Sequence, residues 1–268
     1  MRDRGLLLGD GLFETARIYA GRVPLLERHL QRLREGAAVL GIPVPRGIEE
    51  AALRTVAACA VRDGVLRVTL TRGPGPRGLD LPPEPAPTLL VQVEPFAGRA
   101  PEPLRAALVS LRRDSRSPLT RLKTTSSLAS VLARAEARAA GAGEALLLNT
   151  DGFVAEGAAT NLFWVRDGVL RTPATAAGCL PGIARGLVLE LARALGLPVA
   201  EGLFPPDDLA AADEAFLTSA LLELAPLAGV TTAPSVSAPW ERAPRWPAPG
   251  PVTARLAAAY REYTTSVA

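Results

Sequence analysis

A mixed α/β (α+β) fold in two domains is what this 268-residue sequence predicts, and three observations carry the prediction. Runs rich in β-branched residues, such as V-L-R-V-T-L-T-R at 65–72, alternate with a stretch whose leucines recur every three or four positions. In the second half, two Asp-Gly pairs at 151–152 and 167–168 sit between strand-like runs, where tight hairpin turns are made. Between the halves lies a polar stretch, R-R-D-S-R-S-P at 112–118. The expected layout is a smaller N-terminal α/β domain over 1–112, a linker over 113–122 and a larger C-terminal domain with β-hairpins over 123–268.

The elements follow in order. L-F-E-T-A-R-I-Y at 12–19 reads as a strand, with A-G-R at 20–22 as its turn. A helix opens at Pro24; Leu26, Leu30, Leu33, Ala37 and Leu40 form one apolar stripe, and Gly41 ends it. A second helix is expected near 49–62, then the strand 65–72, the flexible loop G-P-G-P-R-G at 73–78, and strands at 88–93 and 104–112. After the linker, Thr124 to Ser127 offer several N-caps for a helix carrying Leu128, Val131, Leu132 and Ala135 on one face. The two hairpins come next. Pro181 is expected in the first turn of a further helix closed by Gly196, and 215–219 reads as a strand. The proline-dense segment 231–251 is expected to be irregular, with a short terminal helix after it.

Composition narrows the class. With 48% hydrophobic and 21% charged residues, the chain is an ordinary globular protein. A net charge of +3 without a basic block suits an anionic small molecule as well as it suits nucleic acid. Cys59 and Cys179 show no metal or redox spacing, which points to a reduced, cytoplasmic protein. A single histidine and two separated cysteines argue against a metal site. The opening M-R-D-R-G-L-L-L-G-D-G is read as neither a signal peptide nor a membrane span.

One residue stands out against this background. Lys123 is the sole lysine, so 29 of the 30 basic residues are arginine. A biased codon set would leave a stray lysine by chance. Chemistry supplies another reason: guanidinium stays protonated and cannot replace an ε-amine in Schiff-base formation. Lys123 follows the linker and is expected to face the junction of the two domains, a frequent place for ligands.

Other candidates are weaker singly. Glu156 ends a hairpin strand and is followed by small residues; it reads as an exposed strand-end acid or as a buried carboxylate awaiting a cation such as a pyridinium. His29 and Arg32 lie one turn apart, as surface decoration or as an anion site. L-P-G-I-A-R at 180–185 enters a helix whose N-terminus could cradle phosphate, although most such helices bind nothing. There is no G-x-x-x-x-G-K-[ST] and no G-x-G-x-x-G at a strand–helix junction, which argues against nucleotide phosphates.

In this order the pieces resemble the class IV aminotransferases, pyridoxal-phosphate enzymes of fold type IV. The matching blocks are G-D-G-L-F-E-T-A-R at 9–17, H-L-Q-R-L at 29–33 and T-R-G-P-G-P-R-G at 71–78. Lys123, E-G-A-A-T-N-L-F at 156–163, G-I-A-R at 182–185 and L-T-S-A-L-L-E-L-A-P-L at 217–227 continue the series. The resemblance implies a two-domain fold with pyridoxal 5′-phosphate at the junction and Lys123 bonded to the cofactor aldehyde. It implies that Glu156 pairs with the ring nitrogen and that Leu180 packs on the ring. Arg32 and the backbone amides of Ile183 and Ala184, with the turn at Ala220 and Leu221, would hold the phosphate. Phe13, His29, Arg77 and Arg67 would meet the substrate, with Arg77 gripping its carboxylate.

The resemblance further implies a homodimer acting on a small anionic substrate, with no nucleic-acid or membrane partner. Within the family, R-G-P-G-P-R-G, S-A-L-L and Ser127 point to 4-amino-4-deoxychorismate lyase, which forms p-aminobenzoate and pyruvate for folate synthesis. The alternatives are a transaminase of branched-chain or D-amino acids and a non-catalytic cofactor-binding relative. Phe13 replaces a tyrosine of the D-amino-acid enzymes, and Ala220 and Leu221 lack hydroxyls that some relatives direct at phosphate. The strand that usually precedes D-R-G is missing, which leaves the first sheet edge bare or the chain shortened.

Overall fold

The computed structural model describes residues 2–98 and 102–266. The chain divides into two units, and the division differs from the expected one. Residues 2–98 form the first unit together with 122–127 and 264–266, while 102–121 and 128–263 form the second. The strand expected to close the N-terminal domain therefore belongs to the second unit, and the Lys123 segment belongs to the first.

The first unit is built on a three-stranded antiparallel sheet in the order β1-β2-β3. Its strands are β1 (Gly11–Ile18), β2 (Gly64–Thr71) and β3 (Thr88–Pro95), preceded by a short helix α1 (Arg4–Leu8). Helices α2 (Leu26–Leu40) and α3 (Ile48–Cys59) pack on one face. The leucine stripe behaves as expected: Leu26, Leu30, Leu33 and Ala37 are buried against Leu12, Ile18, Leu66, Val68 and Leu70. Gly41 ends α2 in the left-handed conformation at φ +62, where a side chain would be strained. Strand alternation sends Phe13, Thr15 and Arg17 to the other face, with Arg67 and Thr69 of β2 and Leu90 and Gln92 of β3 beside them. The outer edge of β1 is not bare along its whole length: Phe13 N donates to Lys123 O and Thr125 N to Gly11 O, both at 2.9 Å.

The second unit carries an eight-stranded mixed sheet in the order β6-β5-β4-β11-β10-β7-β8-β9. In chain order the strands are β4 (Leu104–Arg113), β5 (Glu144–Asn149), β6 (Val154–Gly157), β7 (Asn161–Arg166), β8 (Val169–Pro173), β9 (Val199–Gly202), β10 (Glu214–Ser219) and β11 (Glu223–Thr232). Helices α4 (Leu128–Ala139), α5 (Ile183–Ala194) and α6 (Pro206–Ala210) interleave with them, and α7 (Pro251–Ser266) closes the chain. Asp167 and Gly168 both take positive φ, 52 and 72, as a two-residue hairpin turn between β7 and β8 demands.

Three details refine the expected elements. The buried face of α4 is Ala133 and Ala137, which sit with Ala107 and Ala145 of the sheet; Leu128, Val131 and Leu132 of the expected stripe are 69%, 59% and 52% exposed. Small residues let the helix approach the strands closely, and that decides which face turns inward. Pro181 lies outside α5, whose N-cap is Gly182. The proline-rich segment is irregular but not idle. It buries Trp240 and Trp246 against Leu108, Trp164 and Leu217, and Trp246 Nε1 donates to Ala212 O at 2.9 Å.

Candidate active site

In the first unit, the backbone pairing along β1 fixes the Lys123 side chain beside Phe13. Lys123 Nζ lies 4.4 Å from the Phe13 ring centroid, and Arg67 Cζ lies 3.9 Å from the same centroid. Both contacts are within cation–π range, so one ring steadies two cations. Burial lowers the Arg67 pKa and Glu94 opposes that shift.

His29 and Arg32 point into the helix-facing side of the sheet, and there they meet Glu14, a residue to which the sequence reading assigned no role. Glu14 Oε2 is 2.7 Å from His29 Nδ1; Arg32 donates from Nε to Oε1 at 2.8 Å and from Nη2 to Oε2 at 2.7 Å. Burial raises the Glu14 pKa, but the hydrogen bonds from His29 and Arg32 and the Arg32 charge outweigh it, so the carboxyl is held below its usual range. With Glu14 ionised, His29 Nδ1 is the donor in that pair. Arg32, expected on phosphate, thus presents a guanidinium already oriented along one edge by a carboxylate. Arg77 is exposed in the loop after β2.

In the second unit, Glu156 is not an exposed strand-end acid. It is 3% exposed, and its carboxylate is gripped from two sides. Leu180 N donates to Oε2 at 2.9 Å, and Arg113 Nε lies 2.8 Å from Oε1. Asn161 completes the arrangement: its Nδ2 donates to Leu180 O at 2.9 Å and lies 3.5 Å from Glu156 Oε2. Gly182 fits against this amide because a Cβ there would stand 2.0 Å from Asn161 Oδ1. Ile183 and Ala184 are the first two residues of α5, and Gly182 provides no side-chain cap for their amides. Ala220 and Leu221 lie half-buried in the turn joining β10 to β11, where Ser219 Oγ takes the Leu222 amide.

Sequence reasoning missed Glu14, Arg113 and Asn161. Asn161 sat inside a recognised block five residues after Glu156, but only the turn between β6 and β7 brings the two side chains together. Nearby, the Cys179 thiol is pushed up to about 12, first by burial and then by the Glu156 charge, so it stays protonated at neutral pH.

A family model described as amino-transferase class IV matches residues 11–230. The chain belongs to that family. A Methanocaldococcus jannaschii protein provisionally named a branched-chain-amino-acid aminotransferase is 39% identical over 234 residues, 84% of this chain and 80% of the relative. Among solved structures, the branched-chain aminotransferase of Thermoproteus uzoniensis with norvaline superposes with a TM-score of 0.88 at 32% identity, covering 99% of this chain and 89% of that one. The 4-amino-4-deoxychorismate lyase of Pseudomonas aeruginosa gives 0.85 at 34% identity, covering 98% and 94%.

The mixed α/β fold is accordingly that of the fold type IV enzymes, and the family is pyridoxal-phosphate dependent, comprising transaminases and the lyase. The residues present suit that cofactor. They include one primary amine, a buried carboxylate with amide and guanidinium partners, and a helix start without a side-chain cap.

Proposed function

We propose that this family member is a 4-amino-4-deoxychorismate lyase, releasing pyruvate and p-aminobenzoate. The observation that carries the reading is the pair of cations, Lys123 and Arg67, on the Phe13 ring. The sheet face around them carries Thr15, Thr69 and Gln92, with Leu90 as its aliphatic member. An anionic ring bearing two carboxylates suits such a face, whereas a branched aliphatic side chain would ask for apolar walls.

The proposed roles follow. When bound, pyridoxal phosphate supplies a carbonyl for the substrate amine and a sink for the electrons released at the adjacent carbon. Lys123 Nζ takes the proton from the amine-bearing ring carbon and returns one to the departing enolpyruvyl group. Glu156 would face the ring nitrogen and share its proton, with Arg113 and the Leu180 amide orienting the carboxylate. Arg32, set by Glu14, and the amides of Ile183 and Ala184 take the phosphate, helped by Ala220 and Leu221. Leu180 packs on the ring. Phe13 and Arg67 line the substrate side, and Arg77 binds a carboxylate. His29, expected there too, is instead buried on the opposite, helix-facing side of the sheet, where it holds Glu14.

The second reading is a transaminase of branched-chain or D-amino acids, favoured by the 39% identity to the Methanocaldococcus jannaschii relative. Incubating one preparation with aminodeoxychorismate, and separately with branched-chain and D-amino acids, decides between them. The lyase reading expects pyruvate and p-aminobenzoate in equal amounts. Conversion of the yellow aldehyde cofactor to its amine form by an amino acid, without pyruvate from aminodeoxychorismate, would replace it with the transaminase.

A homodimer is part of the proposal, supported by Leu128, Val131 and Leu132, which stand exposed at one-turn spacing on α4. A cytoplasmic setting agrees with two free cysteines. Among the described residues no helix is long and apolar enough to cross a membrane.

A further inference from the structure

We propose that Asp3 and Arg4 form a clamp on the loop that carries Arg77, and so set where that arginine is presented to a substrate carboxylate. The proposal rests on the reading of Arg77 given above. The loop runs over 72–87 between β2 and β3 and has no regular structure of its own. At this length a loop in a compact unit is functional or disordered unless something holds it.

Two neighbouring residues hold this one at its base and at its crown. At the base, Asp3 Oδ2 accepts Thr71 Oγ1 at 2.9 Å and Thr88 Oγ1 at 2.7 Å. Thr71 is the last residue of β2 and Thr88 the first of β3, so one carboxylate oxygen ties the two ends of the loop. The other oxygen takes Gly5 N at 2.8 Å and anchors Asp3 to α1. At the crown, Arg4 is only 3% exposed. Its Nη1 donates to Asp80 O at 2.9 Å and Gly78 O at 3.3 Å, and its Nη2 to Leu79 O at 3.3 Å. Gly75 lies against the same side chain, since a Cβ there would stand 2.7 Å from Arg4 Cδ. Arg77 is therefore bracketed, on both sides in sequence, by residues that touch Arg4.

The clamp is itself anchored. Arg4 Nε donates to Asp10 Oδ2 at 2.8 Å, and the same oxygen receives Arg72 Nε at 2.8 Å. Arg72 in turn donates to Leu40 O at 2.7 Å and Gly41 O at 3.1 Å at the end of α2. Three consecutive carbonyls and a carboxylate around one planar fork is a pattern that guanidinium can satisfy and an ammonium cannot.

The test uses full-length protein loaded with pyridoxal phosphate and brief trypsin exposure, with intact-mass detection of the fragments meeting at the Arg77–Gly78 bond. Arg4→Ala should raise the nicking rate there by about tenfold, because the loop opens locally. Arg4→Lys and the milder Thr88→Val should give smaller increases, and cleavage at other sites should stay unchanged. In turnover of aminodeoxychorismate, Arg4→Ala should raise KM by about tenfold with kcat held within about twofold, the mark of lost substrate binding.

An unchanged rate at Arg77 in both Arg4→Ala and Thr88→Val overturns the clamp, as does a rise at every site alike. If Arg77→Ala raises KM while Arg4→Ala alters neither nicking nor KM, the clamp falls and the substrate reading survives. If nicking rises as expected but Arg77→Ala leaves KM alone, the reading of Arg77 falls and takes the positioning role with it.

Discussion

Gly182 and Asn161 offer a sharp test of how the Glu156 site is held. Replacing Gly182 with alanine puts a Cβ 2.0 Å from Asn161 Oδ1, whereas ordinary contact starts near 3.4 Å, so the amide must retreat by about 1.4 Å. Gly182 has φ −66 and ψ 139, open to any residue, so backbone strain plays no part. Retreat breaks the 2.9 Å bond from Asn161 Nδ2 to Leu180 O. Losing that bond and leaving buried polar atoms unmatched costs about 2–4 kcal/mol. A poorer N-cap adds up to about 1 kcal/mol. For a chain of this size each kcal/mol moves Tm by roughly 2–4 °C, so Gly182→Ala should melt roughly 5–15 °C lower. Asn161→Ala alone should cost about 1–2 kcal/mol through the unmatched Leu180 carbonyl. In the double variant the clash is gone, and only the cap penalty should be added to the Asn161→Ala loss. Urea unfolding followed by circular dichroism, on cofactor-free and cofactor-loaded protein, measures all four corners of the cycle. Strict additivity would falsify the account, because it would mean that Gly182 does not accommodate the Asn161 amide.

Three more expectations follow from the same geometry. Glu14→Gln should lose roughly 2 kcal/mol at pH 7, where charge-assisted hydrogen bonds to His29 and Arg32 are intact. The Glu14 pKa in the folded protein lies below its ordinary 4.5, so this stabilisation is present above that pH and disappears as pH falls through the folded value; a wild-type advantage that persists unchanged well into acid refutes the assignment. Native protein should show one fast thiol toward a disulfide reagent at pH 8, Cys59, and two after denaturation, since the Cys179 pKa stands at about 12; two fast thiols in the native state contradict the burial. Borohydride treatment of cofactor-loaded protein should add a pyridoxyl mass to the tryptic peptide 122–134, which holds Lys123 and should resist cleavage within it; Lys123→Arg should abolish the adduct, and an adduct on any other peptide removes the assigned role.

Much of this architecture is written as local pattern, and what was not legible depended on contacts between distant residues. The α2 stripe and the Asp167–Gly168 turn could be read because periodicity and positive φ are properties of a few adjacent residues. β11 escaped because Pro226 and Gly229 argue against a central strand. The sheet admits the segment by shifting register between Leu227 and Gly229. The apolar pattern of α4 pointed to its leucines, yet the strands beneath present Ala107 and Ala145, and only an alanine face can seat that closely. The site divides in the same way. Lys123 announced itself by being unique in composition. Glu14, Arg113, Asn161 and Arg4 are ordinary residue types, and their importance lies in what they touch: 15 residues separate Glu14 from His29, and as many as 76 separate Arg4 from the loop carbonyl it holds. The chemistry-bearing groups could thus be named from residue type, while the groups that orient them had to be found by pairing in space. A buried carboxylate or guanidinium persists only when its partners are supplied from elsewhere in the chain. Each such charge in the fold therefore marks a long-range constraint, and three of them, Glu14, Glu156 and Arg4, support residues assigned to cofactor or substrate.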